Sequence, residues 1–242
     1  MLKSRKKIRR VHEYNVGDPI FWVFTKKELI WMAIFIIIGS FISWIPVIPS
    51  DNPIKIITTI LVFSTIIPIW IATKKLVSPH YSIKIEHTDW KLTQWWWFIR
   101  AYFKNPLPLG LIAPFSLAIF TLGYLKPYAF FQFNFENVPE TRILKRHGPR
   151  GSRRKEVITE QDLAYTAAWG MYALLGLAII GVLLKPLLPN YGAELAKYSI
   201  FYGLWNLLPA GQLDGTKIFF GTTVQYTFIL ILFIISLIGV FI

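Results

Sequence analysis

The chain has 242 residues, of which 54% are hydrophobic and 16% charged, with a mean hydropathy of +0.47 and a net charge of +13. This balance excludes an ordinary soluble domain, whose surface needs more polar residues. The absence of cysteine excludes disulfides, thiolate metal sites and cysteine nucleophiles. The positive charge favours membrane orientation over nucleic-acid binding, because Lys and Arg collect in the cytoplasmic loops of membrane proteins.

The N-terminal third of the chain predicts a basic arm and two membrane spans. Residues 1–27 form the arm, which we expect in the cytoplasm. The apolar run 28–48 predicts the first transmembrane helix, because about 20 such residues cross a bilayer, and a turn completes this region at residue 54. A weaker run at 57–73 predicts a second span. Its Pro68 is tolerated in a membrane where neighbouring helices satisfy the freed carbonyl.

The middle of the chain is less regular. Residues 81–87 alternate apolar and polar side chains, which predicts a strand able to pair with a second alternating stretch at 131–135. The Trp-rich stretch 95–104 predicts a helix lying in the headgroup layer. The apolar stretch 107–124 is interrupted by two prolines and a glycine, which predicts a re-entrant segment rather than a crossing.

The distribution of Lys and Arg supports this topology. With 107–124 re-entrant, 23 of the 26 basic residues lie on one face, as the positive-inside rule requires. Further spans at 163–184, about 198–213 and 222–242 complete five crossings, with the N-terminus in the cytoplasm. The predicted fold class is therefore an all-α polytopic membrane protein with about five transmembrane helices, a re-entrant segment and a small β element.

A cationic run lies in the loop 125–161, which we expect in the cytoplasm. Clustered cations favour contact with an anionic surface, either lipid headgroups or an acidic partner protein. The run consists of Arg142, Lys145, Arg146, Arg150, Arg153, Arg154 and Lys155.

Polar residues also stand near the end of an apolar span. Asn206 and Pro209 belong to the sequence Asn-Leu-Leu-Pro, and Asp214 and Gly215 belong to Leu-Asp-Gly. These two elements resemble the third core helix of the site-2 protease family, which are intramembrane zinc metalloproteases. The resemblance implies that Asp214 matches the family's third zinc ligand. Upstream, Gly170 is the only residue retained from the family's Gly-Pro-x-x-Asn element.

The family's catalytic motif is absent. In His-Glu-x-x-His the two histidines bind zinc and the glutamate activates water, but the corresponding region, 64–72, contains neither residue type. We therefore expect no cofactor, no metal and no catalytic residue. The resemblance implies a non-catalytic site-2-protease-like core at 55–220 that binds other membrane proteins, followed by a C-terminal transmembrane helix at 221–242. In the family an edge strand holds the substrate, and 81–87 or 131–135 could supply one.

Two alternatives stay open: a purely structural subunit of a larger membrane complex of the secretion or respiratory type, and an active metalloprotease with unusual ligands. The four histidines are His12, His80, His87 and His147, and no two have helical i,i+4 spacing. We interpret His80 and His87 as solvated loop residues.

Without zinc, a carboxylate at the end of a span needs another partner. We predict a structural role for Asp214, neutralised either by Lys217 or by hydrogen bonds from the Asn206 side chain and nearby backbone amides.

Overall fold

The computed structural model describes residues 23–45, 53–81, 83–94, 102–137, 143–144, 153–154 and 158–241. Most of the basic arm lies outside the described residues, as does most of the Trp-rich stretch and of the cationic run. Of the latter, only Arg153 and Arg154 are described.

The described residues are mostly helical. The α-helices are α1 Lys26–Trp44, α2 Pro53–Val77, α3 Leu109–Phe120, α4 Glu160–Leu184, α5 Pro189–Leu207, α6 Asp214–Gly221 and α7 Thr223–Phe241, and a 3-10 turn, Ser78–Tyr81, continues α2. Four helices are long and apolar enough to cross a membrane: α1, α2, α4 and α7. By length and composition, these four helices agree with the prediction of a polytopic helical membrane protein.

Helix α5 differs from the predicted span at 198–213. It begins at Pro189 and ends at Leu207, and its 19 residues are about 28 Å long. Glu194 and Lys197 lower its hydropathy, so it is not among the four candidate spans of the described residues. The bounds of the predicted span are wrong, and a fifth crossing stays a prediction.

Helices α1 and α2 run in opposite directions, whereas α2 and α5 run in the same direction. Glu28 near the start of α1 is bonded to Lys75 near the end of α2, while Thr59 near the start of α2 is bonded to Glu194 near the start of α5. We call the end of the bundle that contains Glu28 the proximal face, and the end that contains Trp44 the distal face. Which face is cytoplasmic stays a prediction.

The backbone of Trp90 is bonded to both ends of the segment that leaves the strands after residue 108 and returns to them at residue 131. The Gly110 N–H donates to the Trp90 carbonyl at 2.9 Å, and the Trp90 N–H donates to the Phe130 carbonyl at 2.8 Å. Between these bonds, α3 is about 18 Å long, too short for a bilayer of about 30 Å, and the chain turns at Gly123 with φ of 78°. The excursion from Gly110 to Phe130 thus returns to its starting level, but residues 107–124 contain only its outward half and the Gly123 turn, so the predicted bounds of the re-entrant segment are wrong. Its insertion into a bilayer stays a prediction.

This excursion carries Lys126 to the distal face. Its Nζ donates to the Ser43 carbonyl at 2.7 Å, next to the end of α1. The prediction that Lys126 lies with the cationic loop is therefore wrong. The predicted topology places three lysines on the face opposite the cationic loop, Lys55, Lys185 and Lys197, and Lys126 joins them.

The described strands form three antiparallel pairs: β1 Ile83–Asp89 with β4 Phe131–Asn137, β2 Lys91–Gln94 with β3 Tyr102–Pro108, and β5 Ile143–Leu144 with β6 Arg153–Arg154. The predicted pairing of the two alternating stretches is confirmed, with Ile85 opposite Phe135. Residues 102–104 belong to β3, so the predicted interfacial helix is wrong there. The rest of that prediction lies outside the described residues.

Candidate functional site: a buried charge cluster

A buried ion pair joins the end of α2 to the start of α6 at the proximal face. The Lys74 Nζ lies 2.9 Å from Asp214 Oδ2, and the two side chains are 0% and 1% exposed. The prediction that Lys217 or Asn206 neutralises Asp214 is therefore wrong. The actual partner is 140 residues away in the chain, beyond the reach of any local spacing rule.

Lys217 and Asn206 bond to backbone instead. The Lys217 Nζ donates to the Phe133 carbonyl at 2.8 Å and lies 3.2 Å from the centroid of the Phe133 ring, a cation–π contact. The Asn206 side-chain amide donates to the carbonyls of Tyr128 and Tyr202. Both residues therefore fix the chain around the ion pair and do not bond to the Asp214 carboxylate.

Trp70 and Lys74 lie on the face of α2 that meets Asp214. They are four residues apart and so lie on the same side of the helix, with the Lys74 ammonium 3.3 Å from the Trp70 ring centroid. Gly170 of α4 packs against both. A Cβ at Gly170 would lie 2.8 Å from Lys74 Cδ and 3.0 Å from Trp70 Nε1, so α4 can approach this closely only without a side chain.

The segment between α5 and α6 turns the chain so that Asp214, at the start of α6, lies against the end of α5. Helix α5 ends before Pro209, because proline lacks the N–H that would continue the ladder. The chain then turns at Gly211, whose φ is +59°, a conformation that favours glycine. A Cβ at Gly215 would lie only 2.0 Å from the Leu207 carbonyl. Only glycine lets α6 begin in contact with the end of α5.

A second buried cluster centres on Glu28, which is fully buried. Its carboxylate accepts hydrogen bonds from the backbone N–H groups of Thr25 and His87, both at 2.8 Å, and from His87 Nδ1 at 3.3 Å. It also pairs with the Lys75 ammonium. Thr25 in turn caps α1, so one carboxylate connects the first helix, the second helix and β1.

Substitution of Glu28 should therefore be strongly destabilising. We expect Glu28→Ala to lower the free energy of unfolding by at least about 3 kcal/mol, because it leaves buried donors without an acceptor. Chemical unfolding in detergent measures this. Glu160→Gln, an exposed change in the first turn of α4, is the control and should stay within about 0.5 kcal/mol. Equal stability of the Glu28→Ala protein and the wild type would contradict the connecting role.

The structure overturns our interpretation of His87 as a solvated loop residue. It lies within β1, is 0% exposed and contacts the Trp70 ring. Burial, followed by the positive charge of Lys74, lowers the pKa of His87 to about 3, although Glu28 opposes the shift. The imidazole is therefore neutral at pH 7. Since a carboxylate only accepts hydrogen bonds, the ring proton lies on Nδ1, facing Glu28.

This buried histidine predicts loss of stability in mild acid. The folded protein keeps His87 neutral down to about pH 3, whereas the unfolded chain takes up a proton below its ordinary pKa of about 6.5. Protons therefore favour unfolding, and we expect His87 to account for about 2 kcal/mol between pH 7.5 and pH 5. Unfolding of His87→Gln across this range should show a flatter pH dependence. His80→Gln, at an exposed position, should keep the wild-type slope, and an unchanged slope in His87→Gln would contradict the assignment.

At one position along the β1–β4 pair, side chains from other elements are bonded to the outer edges of both strands. His87 lies opposite Phe133. The outward His87 N–H is bonded to Glu28, and the outward Phe133 carbonyl is bonded to Lys217. An added strand could pair at this register only by displacing one of these side chains. The expectation that either stretch offers a free edge is not met at this position.

The site contains a buried ion pair between an ammonium and a carboxylate. Within the described residues, no group of three or more His, Asp or Glu side chains is placed to hold a metal ion. Also among the described residues, Asp214 Oδ1 and Asn206 Oδ1 are buried without a hydrogen-bond partner. Of the four residues that carry the predicted resemblance, Asp214 thus reaches the centre of the site, Asn206 lies beside it, and Pro209 and Gly215 shape the turn.

Comparison of the chain with protein-family models, with curated proteins and with solved structures gives no match.

Proposed function

We propose that this chain is a non-catalytic relative of the site-2 proteases, and that its helical core binds a transmembrane segment of another membrane protein. One observation carries most weight. Asp214, which matches the family's third zinc ligand, faces α2, and its partner there is the Lys74 ammonium at 2.9 Å. The residue one turn before Lys74 on the same face is Trp70, in contact with that ammonium.

The i,i+4 spacing of Trp70 and Lys74 is that of the two histidines in His-Glu-x-x-His. This register, 70–74, begins inside the region 64–72 where the sequence placed the motif and ends two residues beyond it. Ile71 then takes the place of the catalytic glutamate. An indole, an alkyl chain and a protonated ammonium do not fit zinc, whose ligands are thiolate, imidazole and carboxylate. We infer that the lysine ammonium takes the position of the metal cation and neutralises the same aspartate. Gly170, the residue retained from the family's Gly-Pro-x-x-Asn element, packs against both side chains. This contact also supports the register.

The absence of zinc is the first expected result. Elemental analysis of the purified wild-type protein should give far less than one zinc per chain, and chelators should not change any proteolysis in the preparation. About one zinc per chain, lost in Asp214→Ala, would instead support the active metalloprotease and overturn this proposal.

Binding is tested by cross-linking in native membranes. A photo-reactive residue is introduced at Leu208, an exposed position that follows α5 and precedes α6, or at Ile235 on the outer side of α7, which is 60% exposed. We expect Leu208 to cross-link a membrane protein and Ile235 to give little product. Cross-linking through Ile235 alone would favour the purely structural subunit, whose partners pack against the outside of the bundle. No protein adduct at either position would contradict binding by the core.

A further inference from the structure

A second feature opens toward the distal face of the bundle. A cavity of about 360 Å³ opens between α5 and the segment that follows the Gly123 turn. Its lining includes two lysines, Lys126 and Lys197, and five aromatic residues: Tyr124, Tyr128, Tyr198, Phe201 and Trp205.

The two lysines make the distal end of the cavity positive. Lys126 is held in place by its bond to the Ser43 carbonyl, and Lys197 is exposed on α5. Neither forms an ion pair with a carboxylate among the described residues. Both lysines line the same cavity, and burial together with the neighbouring charge of Lys197 lowers the pKa of Lys126. An anion between them would offset the repulsion between the two like charges.

The rest of the cavity is apolar and aromatic. Lys197, Phe201 and Trp205 recur every four residues, so they follow one face of α5 over about 12 Å. Tyr128 and Tyr198 pack edge to face with ring centroids 5.8 Å apart, and form the buried wall. The cavity therefore combines a cationic end with an apolar groove that runs along a helix.

We propose that this cavity binds an anionic phospholipid, with its phosphodiester between Lys126 and Lys197 and part of an acyl chain along Phe201 and Trp205. Charge complementarity selects the anion, and the apolar groove selects a ligand with a hydrocarbon tail over inorganic phosphate. The site lies at the distal face, and neither Lys126 nor Lys197 belongs to the cationic run. It is also independent of the function proposed above.

Lipid retention tests the site directly. The protein is purified from mixed phosphatidylglycerol and phosphatidylcholine nanodiscs, and bound lipid is counted by native mass spectrometry. We expect about one phosphatidylglycerol per wild-type chain. Lys197→Gln should lower this occupancy about tenfold, because Lys197 is exposed and has no structural bond that its loss would break. Lys185→Gln, at the same face, is the matched control and should retain the lipid.

Three results would overturn the proposal. Equal loss in Lys197→Gln and Lys185→Gln would reduce the effect to general surface charge. Displacement of phosphatidylglycerol by millimolar inorganic phosphate would assign the cavity to a free anion. Equal retention of phosphatidylcholine and phosphatidylglycerol would show that charge does not select the ligand.

Discussion

Lys74→Met should lower the free energy of unfolding by about 3–5 kcal/mol, among the largest effects expected for one substitution in this chain. Methionine keeps the unbranched shape of lysine, and its sulfur can still contact the Trp70 ring. The charge is lost, so the Asp214 carboxylate, 1% exposed, is left in the protein interior without its counter-ion. Chemical unfolding in detergent gives the value.

A double-mutant cycle separates the ion pair from the packing of each side chain. Asp214→Asn alone should also be costly, because it leaves the buried Lys74 ammonium unpaired. The double variant Lys74→Met/Asp214→Asn should lose less than the sum of the single losses, with a coupling of at least about 2 kcal/mol. Lys55→Met is the matched control, since Lys55 lies on the same helix but is exposed. A coupling near zero, or a Lys74→Met protein as stable as the control, would show that the pair is not formed.

Apolar runs and alternation predicted most of the framework. Continuous apolar runs located α1, α2, α4 and α7, because only a helix satisfies the backbone over that length of hydrocarbon. Alternation located β1 and β4, since successive side chains of a strand point to opposite faces.

Helix α5 was misplaced because tertiary packing determines its first half. The residues after Pro189 include Glu194 and Lys197 and read as a polar loop. In the structure Gly192 packs on α4 so closely that a Cβ would lie 2.7 Å from the Gly181 carbonyl. A contact between two glycines on different helices has no signature in hydropathy. The start of this helix therefore could not be located from composition.

The centre of the site was only partly predictable. Asp214 was identified from its local sequence, but its partner lies 140 residues away. A signal for the partner did exist, because Lys74 shares the helical face of the apolar Ile67 and Trp70. His87 likewise keeps the phase of Ile83 and Ile85, which is the buried face of β1. A charged or titratable residue in phase with a buried face is the pattern that both cases share.

We propose that the Lys74 ammonium stands where the site-2 proteases, which the Asp214 region resembles, hold zinc. This central claim can be tested by rebuilding the metal ligands in this register with the substitutions Trp70→His, Ile71→Glu and Lys74→His. The two imidazoles would lie on the face of α2 that now meets Asp214, and Asp214 Oδ1 has no hydrogen-bond partner among the described residues. Two histidines and one aspartate are a sufficient protein ligand set for a zinc ion with an open position.

The measurement is zinc content and affinity of the purified triple variant in detergent, beside the wild type and the triple variant with Asp214→Asn added. We expect about one zinc per chain in the triple variant, far less in the wild type, and at least about tenfold weaker binding once Asp214 is replaced. A folded triple variant that binds no zinc, or binds it equally well without Asp214, would contradict the claim.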